Sequence, residues 1–342
     1  MSVTVMIVAH NEEQVIKKKL ENVTQLNYPK EQLEILVTSD NSTDATNQIV
    51  HDFIQEHPSV NIRLFEVKKR MGKTNAQNEA HKTVQSDLLV MTDANAMLDP
   101  NAVNELVASF TTDKIAYVTG RLAYINEDVS ETSASEANYW DLDLKIRDIE
   151  SRMQTITAGN GALYACRTQD YIDFDPIKSH DSIMPLYFGL QQRRAIMNPE
   201  ALVYEKAGET QEDEFSRKIR MYRVLLSQII PDIRLFNVFK YKWFSYFYFG
   251  HRTCRNLLWL AHGVLFLSNL LLVNDSLFYV LVFSLQVLFY SLAFLKQVAT
   301  IDNKILNLIN YYTMTVLAQW CGVINTLTGK NEPFWEKAES TR

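Results

Sequence analysis

Residues 88–95 read Leu88-Leu89-Val90-Met91-Thr92-Asp93-Ala94-Asn95. This is a short apolar strand that ends in an acid, followed two residues later by a second oxygen donor. A strand with that composition is buried on both faces of a parallel sheet and delivers its last polar side chains to the carboxyl edge, where ligands bind. Residues at i and i+2 of an extended segment point the same way, so Asp93 and Asn95 can face one divalent cation whose other ligands are water and phosphate oxygens. A structural alternative stays open on these residues alone: Asp93 or Asn95 can cap the helix expected from about Asp99.

Working outward, two earlier strands end in the same grammar. Val3 to Val8 runs into Ala9-His10-Asn11-Glu12, and Leu33 to Thr38 runs into Ser39-Asp40-Asn41-Ser42. Further apolar runs at Asn61 to Val67, Asp87 to Met91 and Lys114 to Tyr124 alternate with the helix-like stretches Glu12 to Val23 and Asp44 to Ile54. That alternation predicts an α/β fold with a mostly parallel sheet and helices on both faces. Beyond it, Ser135 to Met153 has the spacing of an amphipathic helix, Gly159-Asn160-Gly161 forms a turn before the strand Ala162 to Cys166, and Glu212 to Arg223 is a charged helix.

The chain has 342 residues and a net charge of −6, which excludes general nucleic-acid binding. Its three cysteines show no paired spacing, so neither a zinc site nor a disulfide framework is expected. Val3 starts a strand almost at the initiator with no basic flank or cleavage site, so no leader is expected and the amino terminus stays in the cytoplasm.

The last third is different in kind. Leu257 to Val273, Leu277 to Leu295 and Leu306 to Leu327 each approach the ~20 apolar residues of a bilayer span, the third interrupted by Asn307, Asn310 and Gln319. Lys296 and Lys304 bracket the second connection, which places it on the cytoplasmic side. Upstream, Phe236 to His251 alternates Lys and Arg with Phe, Tyr and Trp, as a segment lying at the membrane surface does. Buried helices of a soluble domain are the competing reading.

Two further clusters carry chemistry. Asp40 can accept a hydrogen bond from a nucleotide base, while Ser42 or Asp44 suffices to cap the helix that follows. In Lys68-Lys69-Arg70-Met71-Gly72-Lys73-Thr74-Asn75 a solvated basic turn competes with a site where Arg70 and Lys73 neutralise a diphosphate. The glycine spacing is not that of a Walker loop.

The segments VTVMIVAHNEE (from Val3), LVTSDNSTDAT (from Leu36), RMGKTNAQNEA (from Arg70) and LLVMTDANAML (from Leu88), in that order, closely resemble the family 2 glycosyltransferases. The resemblance runs from Val3 to Arg223 and, more loosely, through the apolar helices to Glu332-Pro333-Phe334-Trp335. It implies a GT-A nucleotide-sugar-binding domain and an inverting transfer from a nucleotide-diphosphate donor, expected to be a UDP-sugar, to a saccharide or lipid-linked acceptor. It implies that Ala9, Asn11 and Glu12 line the nucleotide site, that Asp40 holds the base, and that Lys73 lies near the phosphates. Asp93 and Asn95 stand at the family's metal-binding Asp-x-Asp, so a Mg or Mn ion would lean on Asp93, with an amide in place of the second acid. Ser179-His180-Asp181 occupies the place of the family's general base, giving Asp181 that role; His180 would tune it or contact the acceptor. Without the resemblance, a helix N-cap is the better account of Asp181. Arg217-Lys218-Ile219-Arg220-Met221 matches the Gln-x-x-Arg-Trp helix of polymerising members, with Arg217 and Arg220 near the diphosphate or acceptor. The missing Gln and Trp count against a processive enzyme.

The expected division is a catalytic domain over 1–230, an interface segment over 231–254, about three transmembrane helices over 255–328 and a tail over 329–342. The chain would be a multi-pass protein of the cell membrane with its catalytic domain in the cytoplasm, in contact with membrane lipid. It would act in polysaccharide or glycan synthesis, with or without other subunits of a synthase complex. The alternatives are a non-catalytic subunit of such a complex, a single-sugar transferase acting on a polyprenyl-phosphate lipid, and a soluble nucleotidyltransferase with a helical domain.

Overall fold

A computed structural model describes residues 1–126, 131–208, 210–299, 301 and 303–334. Trp335 and the rest of the expected tail lie outside the described residues.

Eight strands form one mixed sheet: β1 (Val3–Ala9), β2 (Leu33–Ser39), β3 (Ile62–Glu66), β4 (Leu88–Asp93), β5 (Met97–Leu98), β6 (Ile115–Tyr124), β7 (Leu163–Arg167) and β8 (Arg194–Glu205). Their spatial order is β3-β2-β1-β4-β7-β6-β8-β5. The β1–β2, β1–β4, β2–β3 and β6–β8 pairs are parallel, and β7 runs against both β4 and β6. The expected mostly parallel sheet is present. The long strand β8 was not foreseen, because Asn198, Pro199 and Glu200 interrupt its apolar run.

Alternation along the central strands builds two cores. Val3, Val5 and Ile7 of β1 pack on one face with Ile16 and Leu20 of α1 (Ile16–Thr24), Val50 and Phe53 of α2 (Thr46–Glu56) and, past α3 (Lys73–His81), Val103 and Leu106 of α4 (Ala102–Ala108). Met6, Leu36, Leu89 and Met91 face the other way, toward Ala80 of α3, Leu144 of α5 (Glu131–Met153), and Met184 and Phe188 of α6 (His180–Leu190). Each fully buried aliphatic side chain contributes about 1.5–3 kcal/mol, so central strands that are apolar on both faces fix the sheet.

Register then places the polar ends. Val8 pairs with Asp93 and Ala9 with Ser39, so the ends of β1, β2 and β4 lie level at one edge. Thr92 pairs with Leu163, which brings the turn ahead of β7 to the end of β4. Tyr124 pairs with Glu205, which ends β8 at that same edge.

The remaining helices are α7 (Gln211–Met221), α8 (Leu225–Ile229), α9 (Val238–Tyr241), α10 (Trp243–Phe247), α11 (Leu258–Leu272), α12 (Leu277–Val298) and α13 (Lys304–Leu327). The segment 231–254, expected to lie at the membrane interface, contains α9, α10 and a π-helical turn at Tyr248–Cys254, with a break at Lys242, which has positive φ. The expectation of three crossings also needs correction. Among the described residues only α12 is long and apolar enough to cross a membrane, with mean hydropathy 2.0; a second crossing would need Trp243–Cys254 and α11, bent by 58°, to act as one. The helix α13 is long enough, but it buries Asn310, Tyr311, Thr315, Gln319 and Gly322, and it packs on α7. The polar residues that interrupted its apolar run mark that buried face.

Candidate active site

A cavity of about 360 Å³ opens at the carboxyl edge of the sheet between the strand ends and α7. Its strand side is lined by Ala9, Glu12, Asp40, Lys73 and Asp93, its floor by Gly159, Gly161 and Asp181, and its helical side by Arg217, Arg220 and Arg223.

Asp40 is buried, and its carboxylate accepts hydrogen bonds from the backbone N–H groups of Met71 (3.2 Å) and Gly72 (2.8 Å). It thus fixes the basic loop, and Asp44 takes the cap-like role by accepting from Thr46 N at 3.0 Å. Gly72 has φ of 92°, and a Cβ there would run into the backbone oxygen of Pro333, so only glycine fits. On the same loop the Arg70 guanidinium lies 4.7 Å from the Phe334 ring centroid.

Lys73 Nζ donates to Asp93 Oδ1 at 2.5 Å and to Gly161 O at 3.1 Å. Burial works against this ammonium, but the nearby charges of Asp93 and Asp181 outweigh it and push its pKa above the usual lysine value. Lys73 and Asp181 meet at position 161: its Cβ, if present, would lie 3.6 Å from both Asp181 Oδ2 and Lys73 Nζ. Asp181 sits in the first turn of α6, but the N-cap is Ser179 and no side chain caps the helix, so the cap account of Asp181 fails. Its backbone oxygen accepts from Gly159 N at 2.7 Å, and Gly159 O is held in turn by Arg147 Nη1 at 2.5 Å.

The turn after β4 is braced from beneath. Lys19 is fully buried and donates to Thr92 Oγ1 at 2.9 Å and to Ala96 O. Burial lowers its pKa to about 7, partly countered by Asp93 and Glu205. The helix after this turn is capped at Asn101, so neither Asp93 nor Asn95 serves as its cap.

Three expected residues are not brought to the cavity lining. Asn95 lies past the strand in a turn, off the cavity lining, and its Nδ2 donates to Glu205 Oε1 at 2.7 Å. Asn11, at φ 54°, accepts from Thr43 N at 2.8 Å and ties the first two strand-end loops together. His180 is buried, its Nε2 donates to Ile172 O at 3.0 Å, and its ring packs on Tyr171 and Phe174. Burial drives its pKa to about 3, and Nδ1 has no partner, so the ring is neutral and faces the core. Glu205 was missed. Its signal was present in Ala201-Leu202-Val203-Tyr204-Glu205, another apolar run ending in an acid.

The helical side is held by ion pairs. Arg217 pairs with Glu136 (2.6 Å) and Glu214 (2.7 Å), both buried, and Tyr311 of α13 donates to Glu214 at 3.2 Å. Burial would lower the Arg217 pKa, but these carboxylates raise it well above the usual arginine value. Arg220 is different: burial and the like charges of Arg217 and Arg223 pull it down to about 10, opposed by Asp93 and Glu205. An anion between Arg220 and the strand ends would relieve that crowding.

The residues present fit a divalent cation of the Mg or Mn type. Among the described residues no group of three or more His, Cys, Asp or Glu side chains is placed to hold a metal ion, and Asp93 keeps a partly exposed carboxylate at the cavity wall. One protein carboxylate with water and diphosphate oxygens is the arrangement such ions accept.

Residues 4–173 match the family profile described as Glycosyl transferase family 2, and this part of the chain is a family 2 glycosyltransferase domain with the GT-A fold. Probable glycosyltransferase YdaM of Bacillus subtilis is 35% identical over 126 residues, 36% of this chain and 30% of that protein. The match therefore spans less than a third of YdaM's own length. Poly-beta-1,6-N-acetyl-D-glucosamine synthase of Staphylococcus epidermidis is 23% identical over 300 residues, 84% of this chain and 70% of the relative. The solved mannosyltransferase PcManGT from Pyrobaculum calidifontis, in complex with GDP-Man and Mn2+, superposes with a TM-score of 0.68 at 19% identity, over 96% of this chain and 87% of that one. At that identity the likeness speaks for the fold.

Proposed function

We propose that the protein is an inverting glycosyltransferase, attached to the membrane by its carboxyl-terminal helices, that moves a sugar from a nucleotide-diphosphate donor to an acceptor delivered at the membrane surface. The observation that carries this reading is the meeting of Lys73 and Asp181 at Gly161, with Asp93 bonded to Lys73, Asp40 elsewhere on the strand side and three arginines on the helical side.

In this reading the nucleotide lies along the ends of β1 and β2, beside Ala9, Glu12 and the loop fixed by Asp40. Asp181 accepts the proton of the acceptor hydroxyl as its oxygen bonds to the anomeric carbon and the bond to the diphosphate breaks. Lys73 and Arg220 offset the charge that develops on the leaving diphosphate, and Arg217 sets the position of the helix that presents Arg220. A divalent cation on Asp93, when bound, neutralises the same diphosphate. His180 contributes by packing, since its ring holds the segment before α6. The proposed catalytic unit runs through residue 230, the interface segment through 254, and the apolar helices through 328.

Membrane attachment is supported by the apolar side chains that α11, α12 and α13 leave exposed: Leu271 (80%), Phe278 (66%) and Leu308 (68%) among them. The experiment is incubation of the purified full chain with a panel of labelled UDP- and GDP-sugars and membrane extracts, followed by sizing of the product. Turnover of one donor into a larger labelled product is expected. If no nucleotide sugar is bound or consumed, the proposal fails and the non-catalytic subunit takes its place.

A further inference from the structure

His251 of the π-helical turn and Asp143 and Glu150 of α5 form a charge cluster behind the cavity wall, outside its lining. His251 Nδ1 lies 2.8 Å from Glu150 Oε1 and its Nε2 lies 3.0 Å from Asp143 Oδ1, with all three side chains buried. A neutral imidazole has one N–H, so between two carboxylates it would turn a lone pair toward one of them. Only the imidazolium donates to both.

The two carboxylates depend on that cation unequally. Asp143 also pairs with Arg147 (2.6 Å) and Arg255 (2.8 Å). Glu150 is fully buried, and among the described residues His251 is its only ion-pair partner. A buried carboxylate that loses its one counter-ion must reach for water or take up a proton, and either response disturbs its other bonds.

Those other bonds hold backbone. Glu150 Oε2 accepts from Thr157 N at 2.9 Å, and Thr157 Oγ1 lies 3.2 Å from both carboxylate oxygens. Thr157 belongs to the segment that joins α5 to β7, two residues before Gly159. Arg147, paired with Asp143, donates from Nη1 to Gly159 O, and Gly159 N donates to Asp181 O at 2.7 Å. Two paths therefore run from the turn to the cavity floor. One passes through Glu150 to Thr157, and the other through Asp143 and Arg147 to Gly159, which bonds Asp181. Little slack remains at their end, because a Cβ on Gly159 would lie 1.9 Å from the hydroxyl of the fully buried Tyr117.

We propose that His251 is a positioning residue for Asp181: as an imidazolium shared by Asp143 and Glu150, it locks the backbone from Thr157 to Gly159 and couples the π-helical turn to the cavity floor. The proposal rests on the transferase reading for what Asp181 does there, but the coupling stands on its own contacts.

The test uses the full chain in a neutral maltoside detergent, with His251→Gln and the double variant His251→Gln/Glu150→Gln. A glutamine amide presents two polar atoms as the imidazole does, but without charge. The single variant thus deprives Glu150 of its cation, whereas the double variant faces two neutral amides and leaves Asp143 to its arginines. Amide hydrogen exchange is followed at Thr157 and Gly159, and transfer from labelled UDP- and GDP-sugars is measured beside donor binding. In His251→Gln, exchange at both amides is expected to quicken at least about tenfold while β1 and β4 exchange as in the wild type. Turnover is expected to fall about 10²-fold, the scale of a misplacement of about 1 Å, with donor affinity retained. The double variant is expected to recover most of both.

Unchanged exchange in His251→Gln overturns the coupling, and faster exchange with unchanged turnover overturns the positioning role. Donor affinity that falls in step with turnover marks a general loosening and overturns that role as well. A double variant as impaired as the single one removes charge from the account. If the single variant does not fold, the double variant is compared with the wild type by the same readings, and impairment there overturns the proposal. Wild-type protein that transfers no sugar, in which His251→Gln still frees Thr157 and Gly159, refutes the transferase reading and leaves the coupling standing.

Discussion

The two sides of the cavity are held in place by different physics. On the strand side, Asp93 is set by backbone register and Asp40 is bonded to backbone N–H groups, so main-chain geometry fixes the acids. On the helical side, Arg217 is fixed by the side chains of Glu136 and Glu214, which come from α5 and α7, and by contact with α13. The sheet edge positions its acids chiefly through the backbone, although Asp93 also pairs with Lys73; the helical side relies on counter-charges.

The comparison can be broken at several points. The largest effect is expected at the floor between the two sides: Asp181→Asn should lower the turnover number by about 10²–10⁴-fold with donor affinity retained. Transfer assays beside nucleotide-sugar titration check this, and transfer at the wild-type rate removes Asp181 from the role of base. On the helical side, Glu214→Gln should cost about 3–5 kcal/mol, because it takes a buried carboxylate away from Lys218 and from Arg217, which keeps Glu136. On the strand side, Asp40→Asn should cost only about 1–2 kcal/mol, since the amide oxygen can still accept one backbone bond. Chemical unfolding of both variants measures the contrast, and equal losses would erase the distinction.

A smaller effect is expected at Gly72→Ala, where the positive φ alone costs about 1–2 kcal/mol. The close approach of Pro333 adds a rise in donor KM, which titration would read. The smallest effect is a slope with pH. The unfolded His180 takes up a proton near 6.5, whereas the folded ring resists to about 3, so stability falls as pH drops through that window. His180→Phe should flatten the acid limb of a stability curve between those values while leaving stability above pH 7 free of that slope.

The same contrast explains what could be read from the amino-acid sequence. The strand ends were legible because an apolar run closing on Asp93 or Asp40 is a local signal, and the parallel register then aligned them. Asn95 was misread by extending the strand two residues too far; in the turn that replaces it, Glu205 captures the amide. Glu205 itself was hidden because Pro199 and its neighbours masked β8 as a strand. His180 was misplaced for another reason: adjacent residues in the first turn of a helix face different ways, so Asp181 reaches the cavity while His180 meets Tyr171 and Phe174. The partition of Glu136 and Glu214 around Arg217 carries no local signal at all. Those pairings join residues as much as 81 positions apart, from Glu136 to Arg217, and exist only once the helices pack.

The chain segment at 331–334 returns to the donor loop. Asn331 Nδ2 donates to Arg223 O at 2.9 Å, Arg223 Nη1 reaches Pro333 O at 3.3 Å, and Pro333 closes against Gly72. During synthesis the loop at Gly72 leaves the ribosome long before its backing does. The sheet can form early, but the Gly72 end of the cavity has its final wall only after α13 has been made and docked. On the proposed function, donor binding is therefore a late event in the life of the nascent chain, and its onset is a timer for completion of the last helix.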